Sequence, residues 1–236
     1  MAGDAPDFSV GVVSLPPIMV NTMPILKNYP GGSVFYFDNF EGSNITWEIV
    51  KENNPDYCFA EIDKTHAYIG AGCAKLYRNE PQDVIIKLSR QFQFRSSDTI
   101  GIEFSFMISD IMGVEVELIY EYKMWGTLFR FYITFDGPHI IVHTSEGDII
   151  YSYSPGNDLS NMVWNNVKVI INTKDHRYVR LYCGKDVYDI DYPPITLLDV
   201  SDESPLLRLG FHSNEWGSVS NSVWIDKVIL TDDETI

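Results

Sequence analysis

Hydrophobic and polar residues alternate along much of this chain. Val114, Val116, Leu118, Tyr120 and Tyr122 fall on one side of an extended run, with Glu115, Glu117, Ile119 and Glu121 on the other. That period of two is what a strand with one face on a core imposes. Phe129, Phe131, Ile133 and Phe135 alternate in the same way with Arg130, Tyr132 and Thr134. Such runs predict strands at 34–38, 45–50, 74–77, 84–94, 99–108, 114–123, 128–135, 139–143, 148–153, 163–172, 178–183, 186–190, 206–212 and 223–231. Asp136-Gly-Pro138, Glu146-Gly-Asp148, Pro155-Gly-Asn157 and Cys183-Gly-Lys185 mark turns between them. No stretch holds a helical period of 3.6. About fourteen short strands with regular turns predict an all-β, two-sheet antiparallel sandwich, expected as one domain over 33–236.

Residues 1–32 follow a different rule. Pro6, Pro16, Pro17, Pro24 and Pro30, followed by Gly31 and Gly32, prevent a helix and restrict any strand to an edge. An extended N-terminal arm is expected. Val10, Val12, Val13, Leu15, Ile18, Met19 and Val20 make it too apolar for a free tail. Packing on the sandwich, and on a second copy as a homodimer or higher homo-oligomer, is therefore the expectation.

Composition narrows the partners. Of 236 residues, 33 are Asp or Glu and 17 Lys or Arg, a formal net charge of −16. Such a charge repels phosphate, which argues against nucleic acid and anionic membrane surfaces. No run approaches the roughly 18 apolar residues that span a bilayer, so no membrane insertion is expected. The opening residues carry no basic stretch of the kind a signal peptide begins with. Cys58, Cys73 and Cys183 are too few for a disulfide framework and lack zinc-site spacing. These observations leave the compartment open. Asn44-Ile-Thr46 is a glycosylation sequon of a kind expected by chance at this length.

Several motifs occur in a particular order. Asp38-Asn-Phe-Glu41 with Trp47 is followed by Ala71-Gly-Cys-Ala-Lys-Leu76. Trp164-Asn-Asn-Val-Lys-Val169, Leu181-Tyr-Cys-Gly-Lys-Asp186 and Val223-Trp-Ile-Asp-Lys-Val228 come after them. The set resembles the concanavalin A-like lectin/glucanase (laminin G-like) sandwiches and spans most of 34–230. Its first two motifs also resemble galactose-binding jelly rolls. The resemblance implies a jelly-roll sandwich whose sheet often holds a saccharide. It also implies a structural calcium between the opening and closing strands, where Asp38, Glu41 and Asp226 are the matching oxygen donors.

Two further candidate sites follow. Glu115 and Glu117 project from one side of a strand with Cα atoms roughly 7 Å apart, which suits the roughly 5–9 Å between glycosidase carboxyls. Glucanases resembling this chain write Glu-x-Asp-x-x-Glu or Glu-x-Asp-x-Glu there. Glu115-Val-Glu117-Leu-Ile-Tyr-Glu121 has Glu in the Asp position and its last Glu one residue late. A solvated sheet face explains the same three glutamates without chemistry. Trp125 and Trp216, in expected loops, and Tyr151 and Tyr153, two apart, are candidate platforms for sugar rings. The leading reading is a non-catalytic carbohydrate-binding or structural domain with glycan as ligand. A glycoside hydrolase using Glu115 and Glu117, and an assembly protein with no small ligand, are the alternatives.

Overall fold

The computed structural model describes residues 32–93, 97–109, 114–137, 139–152, 162–198, 205–214 and 221–234. Among these, sixteen strands pair antiparallel into two sheets of eight. They are β1 (Ser33–Asp38), β2 (Glu48–Glu52), β3 (Cys58–Asp63), β4 (Cys73–Arg78), β5 (Val84–Gln91), β6 (Thr99–Ile108), β7 (Val114–Met124) and β8 (Thr127–Asp136). The remainder are β9 (His139–His143), β10 (Ile149–Ser152), β11 (Asn165–Asn172), β12 (Arg177–Cys183), β13 (Asp186–Asp189), β14 (Ile195–Leu198), β15 (Leu206–Ser213) and β16 (Ser222–Asp232).

The first sheet runs β13-β12-β11-β6-β16-β4-β3, with β1 also paired to β16. The second runs β10-β9-β8-β7-β15-β5-β2, with β14 also paired to β8. Neighbours such as β7 and β15, or β6 and β16, are distant in sequence, as a jelly roll requires. Alternation explains the layering. Val114, Val116, Leu118, Tyr120 and Tyr122 from the second sheet meet Ile102, Phe104, Phe106, Val167, Val169 and Ile225 from the first in one buried core.

The sequence reading holds for the fold class and for the inward register of β7. Two strands were not anticipated. β3 follows directly on a turn at Pro55–Tyr57, and β14 follows Pro193 and Pro194. Residues 1–31 of the expected arm lie outside the described residues.

Trp47 and Trp224 belong to two different cores. Trp47 enters the main one, and its indole N–H donates to Asp38 at 2.9 Å. Trp224 faces the outer side of the first sheet, where it packs with Cys73, Met107 and half-buried Trp164. The segment between β3 and β4 covers this small cluster: His66 lies 4.9 Å from the Trp224 ring and Tyr68 lies 5.6 Å from Trp164. All three cysteines are buried, and none is in a disulfide. Burial, then the Asp226 charge, push the Cys73 thiol up to about 12.

Candidate functional site

The side chains of β7 that point away from the core define a polar band on the outer face of the second sheet. Register places Thr134, Glu117, Gly210 and Lys87 in one row across β8, β7, β15 and β5. On one side of that row stand His143, Tyr132, Ile119 and Arg208, from β9, β8, β7 and β15. On the other stand Asp136, Glu115 and His212. The band therefore crosses five adjacent strands, β9 to β5, roughly at right angles to them.

Glu117 sits at its centre. Lys87 Nζ stands 2.9 Å from one carboxylate oxygen, and the Tyr132 hydroxyl donates to the other at 2.9 Å. Lys87 reaches Glu117 by crossing Gly210. A Cβ at that glycine would lie 2.4 Å from the Ile86 carbonyl oxygen and 2.6 Å from the Lys87 side chain, so only glycine fits there. Burial, then the Glu117 charge, hold the Tyr132 phenol well above its usual range, so it remains a hydrogen-bond donor.

Two further ionic groups flank this centre. Glu121, buried, lies between Arg130, which donates through Nε, and Arg208, whose guanidinium is 3.6 Å away. His212 is held between Asp83, at 2.8 Å from Nε2, and Glu115, at 3.8 Å from Nδ1. The Glu115 carboxylate contributes most to raising the His212 imidazole to about 9, with Asp83 adding to it against the opposing effect of burial. Burial, then Glu115, push the Asp136 carboxyl up.

An aromatic pair completes the band. Tyr132 and His143 stack with ring centres 4.2 Å apart. His143 is fixed by Thr134 through Nε2 and by Asp148 through Nδ1, each at 2.9 Å. Beneath them Tyr178, from the first sheet, accepts from the Tyr132 amide at 2.7 Å and donates to the His143 carbonyl at 3.0 Å. A buried hydroxyl thus pins both strands where the pair stands.

The glutamates face away from the core as the alternation requires, but they are not a solvated face. Glu117 and Glu121 are each 4% exposed. Buried carboxylates need charged partners, and Lys87, Arg130 and Arg208 supply them. Of the expected hydrolytic pair Glu115 and Glu117, the second has its carboxylate oxygens engaged by Lys87 and Tyr132.

The aromatic candidates separate. Trp125 is 94% exposed at the tip of the β7–β8 hairpin, where it and Gly126 both take positive φ, the two-residue turn that matches strand twist. Tyr151 faces inward and packs on Tyr188 of β13, 5.0 Å between ring centres, closing one edge of the sandwich. It is therefore not a platform on the outer face. Trp216 and Tyr153 lie outside the described residues.

The calcium expectation is not met by these donors. Asp38 accepts from the Tyr36 hydroxyl, the Trp47 indole and the Phe40 amide. Asp226, fully buried and raised to about 6 chiefly by burial, accepts from the Tyr68, Ile69 and Lys227 amides. Glu41 accepts from the Ala71 amide, while Lys64 Nζ donates to the Glu41 and Gly42 carbonyls at 3.2 and 3.0 Å. Most of the Asp38 and Asp226 lone pairs already accept from N–H and O–H donors, and Asp226 and Glu41 anchor the segment between β3 and β4. Among the described residues no group of three or more His, Cys, Asp or Glu is placed to hold a metal ion.

Sequence reasoning did not single out Lys87, Tyr132, His143, Arg208 or His212. Arg208-Leu-Gly210-Phe-His212 alternates, so its outward members could have been read from β15. Their meeting with Glu115 and Glu117 depends on strand order, which the alternation does not encode.

No family model matches the chain, and no curated protein matches its sequence. Solved structures do match. An endo-β-1,4-glucuronan lyase from the fungus Trichoderma reesei superposes with a TM-score of 0.60 at 13% identity, over 85% of this chain and 96% of its own. The cellulose-induced protein Cip1 gives 0.55 at 14% identity, over 85% and 98%. The laminarinase catalytic domain from Thermotoga maritima MSB8 gives 0.52 at 11%, over 87% and 100%. The chain has the concanavalin A-like jelly-roll sandwich fold.

Proposed function

We propose that the outer face of the second sheet binds a carbohydrate chain and does so without catalysis. The observation that carries this reading is the band across β9 to β5. It offers charged and hydroxyl groups fixed by one another on rigid strands, beside the stacked Tyr132 and His143 rings. Sugar hydroxyls accept and donate to such groups, and the C–H faces of the ring stack on aromatic side chains. Preorganised groups cost little ordering on binding. A glucuronan lyase and a laminarinase among proteins of similar fold are consistent with a saccharide ligand.

The engagement of Glu117 by Lys87 and Tyr132 favours binding over hydrolysis. A glycosidase needs one carboxyl free to give a proton and another free to attack or activate water. Electrophoresis through gels containing neutral and acidic polysaccharides tests the reading. Retardation by at least one of them, lost in Tyr132→Ala, is expected, with no new chain ends after prolonged incubation. No retardation by any member, or chain ends whose appearance depends on Glu117, would overturn it.

A further inference from the structure

We infer that the sugar held on this face is an acidic one, whose carboxylate is taken by Arg130 and Arg208. This inference rests on the binding role proposed above for the same face and names the ligand class.

The charges on the band are sorted along the strands. At the β7 position of Glu121 two guanidinium groups approach a single carboxylate. The carboxylate is 5% exposed, whereas the Arg130 and Arg208 side chains are 34% and 32% exposed. Among the described residues two guanidinium charges thus meet one carboxylate, and the arginine side chains are the more exposed partners. Six residues along β7, roughly 20 Å away, the order is reversed. There His212 is enclosed by Asp83 and Glu115, both more exposed than the imidazole. An anionic ligand is drawn to the arginine end and repelled at the other.

The arginine end also has suitable geometry. Among the described residues Arg130 spends its Nε–H on Glu121, which leaves its terminal N–H donors to form the planar fork that a carboxylate accepts in a bidentate manner. Tyr132 follows Arg130 by two residues on β8, so its ring lies on the same face roughly 7 Å along the strand. That is about the width of one sugar ring beside its carboxylate. The net charge of −16 disfavours polyanions at long range, but beyond about 8–10 Å that repulsion is largely screened at physiological salt, so the charges next to the ligand govern the contact.

Calorimetric titration with polyglucuronate, polygalacturonate and alginate oligosaccharides tests the inference, each beside its carboxyl-reduced counterpart. At least one acidic member should bind ten-fold or more tightly than its reduced form, and that preference should weaken as salt is raised. Arg130→Lys keeps a cation beside Glu121 but removes the fork, and it should lower the preference several-fold. Arg130→Gln combined with Arg208→Gln and Glu121→Gln should abolish it, bringing the affinities for the acidic and reduced forms to within about two-fold of each other. Equal binding of acidic and reduced forms, sensitive to Tyr132→Ala, would overturn the carboxylate inference and leave the binding role standing. Absence of binding to every member would overturn both.

Discussion

Glu117 shows how a carboxylate is kept on a sheet with little water around it. Its ammonium partner comes from a strand two places away, and its hydroxyl partner from the next strand on the other side. Removing one member of a buried pair leaves the other uncompensated. Glu117→Ala is therefore expected to cost about 3–5 kcal/mol in urea unfolding, while Lys87→Met with Glu117→Leu recovers most of it. Equal losses in the single and double variants would contradict the pairing. His212 gives a second measurable consequence. Its folded value of about 9 lies above the ordinary 6.5, so its contribution is complete below about 6.5 and is lost as pH rises toward 9. The melting temperature should fall between pH 6 and 9 in the native protein, with a shallower slope in His212→Gln. The same slope in both would count against this.

At the scale of the element, β7 is where sequence and structure agree most closely. Its inward residues are all buried, and Leu118→Ala should destabilise by about 2–5 kcal/mol through the cavity it leaves. A neutral effect in thermal unfolding would mean that the register is shifted. The strands legible in advance were those with long alternation, such as β7 and β8. β14 was not, because its four residues are mostly exposed along an edge and follow two prolines. The polar band was only half legible. Alternation put Glu115, Glu117 and Glu121 on one face, but their burial depends on Lys87, Arg130 and Arg208. Lys87 and Arg208 come from strands roughly 30 and 90 residues away in sequence, and the order β7-β15-β5 brings them in. Glu117 meets Lys87 only because Gly210 leaves room for the lysine to cross. Asp38, Glu41 and Asp226 carry the opposite lesson. Their residue types suit calcium, but backbone amides reach the same oxygens first.

For the whole molecule, the two sheets have different outer faces. That of the first holds a small apolar cluster covered by the chain between β3 and β4. That of the second holds the polar band, with the exposed Trp125 hairpin about four residues beyond Glu121 along β7. Ligand binding is therefore expected on the second sheet alone. The most direct test is a two-dimensional amide spectrum recorded while the acidic oligosaccharide that binds best is added. Shifts concentrated at Glu117, Arg130, Tyr132, His143 and Arg208, with those around Trp224 unmoved, are the result expected. Shifts confined to the first sheet, or none at saturating oligosaccharide, would contradict the assignment of function to this face.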